Sequence, residues 1–455
     1  MLRRIHVKGY KSLADAEVKL QPLSVLFGPN AAGKSNFLDA LQLLSRIASS
    51  RTLKEAFEPP YRGKPLESFS FSRGGLDSLL KEDMVSFSME VDVEVSPRVV
   101  ESVNKQIREM KRANVEEGDG KDREAENGEN DNGAKGPALV REKYLRYRIE
   151  LEILPRSGIL RVADEYLAAL KKTGEVRKGR ESFLGQKNGH LHLRMEGQAH
   201  PIYYERYLDH SLLSLPLYPP HYPHLVAMKE ELSRYFFFYF EPRERMRATC
   251  PVKEVRHIGL MGEELASFLN TVKAIDPRQF QAIGKALRLI IPSVTGIDVD
   301  VNNLGEVDLW LREGDLRVPS RVVSEGTLRV LGLLALSGAK DPPALIGFEE
   351  PENGIHPRRV QLIAELLKTR ASTGDSQLVV TTHSPLLLDL IPSESLFVCQ
   401  KEQGRTEIVP FSDWGWGPLG RRKDIDKALD EQLTPSQRKP TPSERIMRGD
   451  FDAEG

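Results

Sequence analysis

The chain has 455 residues, with 65 Lys+Arg against 66 Asp+Glu and a formal net charge of -1. That length exceeds one average domain, and the balanced charge excludes a global pull toward nucleic acid or an anionic membrane, so any DNA contact must be a local patch. The two cysteines, Cys250 and Cys399, lie far apart without CxxC or His companions, which excludes a disulfide framework or zinc site by pattern; no signal-peptide core or run of about 18 apolar residues occurs, so a cytoplasmic protein without membrane contact is expected.

The first clear predicted element is a buried strand, Leu23 to Phe27, that runs into a glycine-rich turn. A helix follows, with apolar residues at Phe37, Leu38, Leu41, Leu44 and Ile47, the 3.6-residue spacing. The turn Gly28-Pro29-Asn30-Ala31-Ala32-Gly33-Lys34-Ser35 matches GxxxxGK[ST] in full, and Asn36 continues it into the helix. Glycines let backbone N–H groups curl around phosphate oxygens, Lys34 reaches the β- and γ-phosphates, and Ser35 offers a hydroxyl to Mg²⁺. With the strand before and the helix after, the turn reads as a nucleoside triphosphate site.

From about 65 to 200 the period changes to two. Val85, Phe87, Met89, Val91, Val93 and Val95 alternate in one stretch and Leu145, Tyr147, Ile149, Leu151 and Ile153 in another, which predicts half-buried antiparallel strands. Between them 115–136 is charged, rich in Gly and Asn and poor in apolar residues, and reads as a disordered surface loop. Asn188-Gly189 signals a hairpin. His190 and His192 beside it lack an acidic or thiol companion and read as surface residues rather than metal ligands.

The second half returns to α/β. The aromatic run YFFFYF is a candidate buried strand, helices are expected at about 261–273 and 278–290, and 296–313 reads as a further hairpin. Ser324-Glu325-Gly326-Thr327 then opens a helix lined by Leu328, Leu331, Leu334 and Ala335; by itself this is equally an ordinary N-cap. About twenty residues later an apolar strand stops at Glu349-Glu350, followed by PENGIHP, a helix, the strand QLVVTT at 377–382, and His383 with Ser384-Pro385. Ligands sit at the carboxyl ends of strands in a parallel sheet, so Gly28, Glu349, Glu350 and His383 are expected on one edge. There Glu349 is placed to hold the metal's water shell and Glu350 to polarise an attacking water.

Together these residues resemble a known class. Gly28–Ser35 as Walker A, Ser324–Thr327 in the place of the ABC signature, Glu349–Glu350 as Walker B, Pro351–Pro357 as D-loop and His383 as switch histidine resemble the ABC-type ATPase heads of the SMC, RecF and OLD proteins. The resemblance is greatest to bacterial AAA-family ATPases related to OLD, whose EEPENGLHP and THSP segments are nearly reproduced, and it covers about 1–50 and 315–400. It implies an α/β P-loop NTPase of the ABC/SMC-head type, with a mixed central sheet flanked by helices and an antiparallel β-subdomain. It also implies ATP and Mg²⁺ as cofactors, Glu350 and His383 as catalytic groups, and Ser324 and Gly326 as contacts to a partner's γ-phosphate. Lys11 matches a basic position that relatives bring near the nucleotide, or is an exposed strand-end lysine. Departures are Glu349 where most ABC enzymes have Asp, SEGT in place of SGGQ, and no assignable Q-loop glutamine.

The expected organisation is an N-terminal part of the ATPase lobe at 1–64, an inserted β-rich and helical region at 65–233, the C-terminal part of the lobe at 234–412, and a tail at 413–455. The absence of sustained heptads over the roughly 290 residues between Walker A and signature separates it from SMC arms. Asp424-Ile425-Asp426 mimics a TOPRIM DxD but sits in a charged stretch without a preceding strand, and the 72 residues after His383 are too few for that domain, so no nuclease is expected in cis. The resemblance implies an ATP-sandwich homodimer, with higher assembly open, that gates a separate effector such as a nuclease in phage defence. The alternative is a RecF-like repair ATPase on DNA, for which Arg243, Arg245, Arg247, Lys253 and Arg256 are candidates, though interleaved Glu241, Glu244 and Glu254 favour a solvated surface.

Overall fold

The computed structural model describes residues 1–71, 75–118, 139–196, 202–336, 342–413 and 441–447. The chain divides into two compact units, one of 1–20 with 39–235 and one of 21–38 with 236–455. Among the described residues no helix is long and apolar enough to cross a membrane.

In the first unit, β1 (Leu2–Tyr10), β2 (Leu13–Lys19), β4 (Val85–Glu94), β5 (Tyr144–Leu154), β6 (Ile159–Ala169), β7 (Leu184–Lys187), β8 (His190–Leu193) and β9 (Ile202–Tyr204) form an antiparallel sheet. The strand order is β2-β1-β4-β5-β6-β7-β8-β9. The alternation read from the sequence sets its register: Phe87 lies opposite Leu151, Met89 opposite Ile149 and Val91 opposite Tyr147, all buried. Each such side chain contributes on the order of 1.5–3 kcal/mol of burial. The first twenty residues join this sheet rather than the unit that holds Gly28, because β1 pairs along its length with β4. Asn188 (φ 52) and Gly189 (φ 80) form the hairpin turn, whose two left-handed positions suit these residues. His190 is exposed, but His192 is buried beside the Tyr203 ring, a correction to the surface reading. Of the segment 115–136, residues 115–118 end the helix Pro97–Gly118, so a loop is not what they form; 119–136 lie outside the described residues, as does Asp424-Ile425-Asp426.

The second unit is built on a six-stranded sheet of β10 (Tyr235–Phe238), β15 (Leu345–Glu349), β16 (Gln377–Thr382), β3 (Leu23–Phe27), β17 (Leu396–Glu402) and β18 (Arg405–Pro410), in that order. Strands β15, β16, β3 and β17 are mutually parallel. Parallel strands need helical crossovers on their faces, which explains why β3 and β16 are buried at every residue rather than at alternate ones. The helix from Lys34 to Ser49 is α1. A smaller antiparallel sheet carries the hairpin β12 (Gly296–Val301) and β13 (Glu306–Glu313), joined by β11 (Cys250–Pro251) and by β14 (Leu316–Pro319). The expected helices lie at Leu265–Ile275 and Pro277–Ile290. The fold is therefore a P-loop NTPase of the ABC/SMC-head type, with a mixed sheet and an antiparallel one.

Candidate functional site

The site grows from the register of three neighbouring strands. Phe27 ends β3 opposite Thr382 of β16, and Glu349 of β15 lies opposite Thr381, so the three chains leave the sheet side by side. Gly28 turns the chain at φ 146; a Cβ there would stand 2.1 Å from the Cys399 carbonyl oxygen, which no side chain tolerates. Ala31 (φ 61) and Gly33 (φ 98) continue the loop, and the Thr406 hydroxyl ties it down by donating to the Ala32 carbonyl at 2.9 Å. Asn30 is exposed, Pro29 half-buried, and Asn36 sits in the first turn of α1. A loop of this shape at a helix start can cradle an anion.

Lys34 is 5% exposed, and its Nζ donates to the carbonyls of Gly28 and Pro29, each at 2.9 Å. Its third contact is His383 Nδ1 at 3.5 Å. Burial pulls the Lys34 pKa down, opposed by Cys399, Glu350 and Glu349. Burial and then the Lys34 cation also lower that of His383, against Glu350 and Glu349, so the imidazole is neutral at pH 7. With Nδ1 facing an ammonium donor, the proton belongs on Nε2, which stands 3.4 Å from Glu350 Oε1.

Glu349 closes β15 and accepts a hydrogen bond from the Ser35 hydroxyl. A hydroxyl and a carboxylate together are hard oxygen donors, a set that suits Mg²⁺ completed by phosphate and water. Among the described residues no group of three His, Cys, Asp or Glu is arranged for a metal. Glu350 is the first residue past the strand, in the left-handed region (φ 49), with its N–H bonded to Thr381 O at 2.9 Å. For a non-glycine residue that conformation costs on the order of 1 kcal/mol or more, and it turns the second carboxylate away from the strand direction toward His383.

Ser324 caps the helix Glu325–Ala335, accepting from Thr327 N at 3.3 Å. Its neighbour Gly326 lies against Gly354 of PENGIHP, where an added Cβ would be 2.3 Å from the Gly354 carbonyl oxygen. Arg329 donates to Asn353 O at 3.1 Å, a second tie between this helix and that loop. Ser324, Gly326, Thr327, Gly354, His356 and Arg359 line a concavity of about 200 Å³. Lys34, Ser35, Glu349, Glu350 and His383 are thus joined in one cluster, while Ser324 and Gly326 join the loop beyond Glu350. Lys11 is not an exposed lysine: its Nζ is 2.8 Å from Asp39 Oδ2, and Arg62 pairs with the same carboxylate at 2.9 Å. In the basic cluster, Arg243 pairs with Glu325, Lys253 with Glu264 and Arg256 with Glu254, and Arg247 donates to Pro242 O. Four of the five DNA candidates are engaged within the protein.

Sequence reading missed Glu352, a buried carboxylate that accepts from Thr382, and treated Asn353 and Gly354 only as loop. The one available signal for Glu352 was a third acid so close after Glu350 in a stretch otherwise set by Pro and Gly.

The fold and this edge define a P-loop nucleotide-binding head. Residues 204–389 match the family described as "AAA domain, putative AbiEii toxin, Type IV TA system", and 1–135 match "AAA ATPase domain". The chain is 23% identical over 419 residues to an OLD nuclease of Thermus scotoductus, aligning 90% of this chain with 64% of that protein. It is 40% identical over 55 residues to the DNA replication and repair protein RecF of Gloeobacter violaceus, 12% of this chain and 15% of that one. The chain thus spans less than two thirds of the length of either relative. An SMC head crystallised with the C-terminal winged-helix domain of ScpA has the same fold, with a TM-score of 0.50, 11% identity, and 90% of this chain and 97% of that one covered. The chain is thus similar to AAA ATPase domains and to OLD and RecF proteins, and it shares the fold of an SMC head.

Proposed function

We propose that the chain binds and hydrolyses Mg-ATP at the carboxyl edge of its parallel sheet, and that ATP closes two copies on each other as a switch for a separate effector. The observation that carries this reading is the convergence of Lys34, Ser35, Glu349, Glu350 and His383 through direct contacts. In it the N–H groups of Gly28–Ser35 cradle phosphates and Lys34 balances the charge on the β- and γ-phosphates. Ser35 and Glu349 would hold Mg²⁺, which would supply further charge neutralisation. Glu350 takes a proton from the attacking water, and neutral His383 orients that carboxylate through Nε2–H. Ser324 and Gly326, held against the loop that follows Glu350, serve the nucleotide of a second copy, because a capped helix start favours a γ-phosphate.

The effector reading draws on the relatives. Similarity to a protein named OLD nuclease and to a toxin–antitoxin family description supports a nuclease as effector and a defence role. Glu350→Gln tests the engine: ATP binding persists while turnover falls by about 10²-fold or more, since an amide accepts no proton. Unchanged turnover removes Glu350 from the reaction.

A further inference from the structure

PENGIHP holds a third carboxylate that the hydrolysis described above does not use. Glu352 is 8% exposed, and burial pushes its pKa above the usual carboxylate range. Its Oε1 accepts a hydrogen bond from Thr382 Oγ1, and its Oε2 has no hydrogen-bond partner among the described residues. Thr382 is fully buried at the end of β16, and the same hydroxyl oxygen accepts Ser384 N–H at 2.9 Å. One hydroxyl therefore joins the two residues that bracket His383. A hydroxyl can rotate, and an acceptor that takes its proton leaves its lone pairs facing the amide.

On the other side Glu352 belongs to the turn that begins at Glu350. Asn353 N donates to Glu350 O and Ile355 N to Glu352 O, each at 3.0 Å. Burying a carboxyl with only half of its acceptors used is costly, so packing alone does not account for it at this position. We propose that Glu352 is a positioning residue that clamps the turn carrying His383 to the turn carrying Glu350, with Thr382 as the connecting hydroxyl. The clamp keeps His383 Nε2 within reach of Glu350 Oε1, a contact already at 3.4 Å that small displacements would break. This rests on the proposed hydrolysis for its consequence but not for its geometry.

Glu352→Leu and Thr382→Val each lower kcat about 10-fold or more, in line with the up to about 10²-fold cost of misplacing a reacting group by 1 Å. ATP affinity stays within about threefold. Glu352→Gln, which keeps an acceptor for Thr382, stays within about threefold of wild type in kcat. In a His383→Ala background Glu352→Leu causes no further loss, because its effect passes through His383. Full multiplication of the two losses, or unchanged kcat in both Glu352→Leu and Thr382→Val, overturns the proposal. A second readout is independent of turnover: the imidazole NMR peak of His383, assigned by its loss in His383→Ala, moves toward the free-histidine position in Glu352→Leu and Thr382→Val and holds in Glu352→Gln. If the wild type hydrolyses no ATP, the functional reading falls while this peak still decides the clamp: movement upholds it and a stationary peak overturns it.

Discussion

Lys34 and His383 show how one residue's environment sets another's chemistry. The ammonium is turned onto loop carbonyls and His383 Nδ1, so removing it takes away the cation that contacts the loop carbonyls and the histidine of this cluster. Lys34→Ala should lose ATP binding, measured by calorimetry or a fluorescent nucleotide, with turnover at background; retained binding would reject the phosphate site. His383 gives a pH prediction. Its pKa lies below the ordinary value of 6.5, so the neutral ring persists at pH 6.5 and protonates only below it. Protonation sets a second positive charge beside Lys34 and removes the acceptor at Nδ1, so turnover should hold down to pH 6.5 and fall below it. His383→Asn should lack that acid limb, and an identical pH profile would separate His383 from the limb.

Elements in this protein are joined by close approaches and by buried polar groups. The helix Glu325–Ala335 meets the loop after Glu350 at Gly326 and Gly354, and a Cβ on Gly326 would stand 2.3 Å from the Gly354 carbonyl oxygen. Gly326→Ala should shift the two apart and lower turnover severalfold while leaving binding at the phosphate loop within about threefold, since Gly326 makes no contact with Lys34. Equal loss of both would show that the substitution unfolds the unit instead. In the antiparallel sheet, Glu165 of β6 is fully buried and accepts from Tyr147 Oη at 2.8 Å, Ser211 Oγ at 2.6 Å, Leu212 N at 2.7 Å and Leu213 N at 3.1 Å. Burial raises its pKa, and four donors counter that cost. Glu165→Ala leaves these donors without their acceptor and should destabilise by about 3 kcal/mol, from the usual cost of orphaned buried groups. Denaturant titration checks this, and a loss below about 1 kcal/mol would show that Ser211 and Tyr147 re-pair.

At the scale of the molecule, the proposed ATP sandwich makes a prediction that separates the two readings of Ser324. If each nucleotide is held by Lys34 of one copy and the Ser324 helix start of another, then Lys34→Ala and Ser324→Arg are each inactive alone. A heterodimer of the two places both lesions at one interface and leaves the other intact, so mixing restores part of the turnover. If each site is complete within one copy, every site in the mixture carries one lesion and nothing returns. With heterodimers shown by differential tagging, a flat result would make Ser324 an ordinary helix cap, which is all its bonds to Thr327 require.

The glycine-rich turn at 28–35, the strand ends at Glu349 and His383, the paired strands at 85–94 and 144–154 and the Asn188-Gly189 turn were all legible in the linear chain. Each depends on local rules: backbone conformations only glycine or asparagine adopts readily, a period of two on a half-buried sheet, and an apolar run in a parallel one. Strand adjacency was a different matter. That β16 lies between β15 and β3, that Gly28 abuts Cys399, and that Gly326 abuts Gly354 all depend on contacts between residues far apart in the chain, for which no local pattern exists. The same holds for the membership of β1 and β2 in the antiparallel sheet, and for Glu352. An acid among Pro, Asn and Gly reads as solvated loop, and only tertiary packing turns it inward onto the hydroxyl of Thr382.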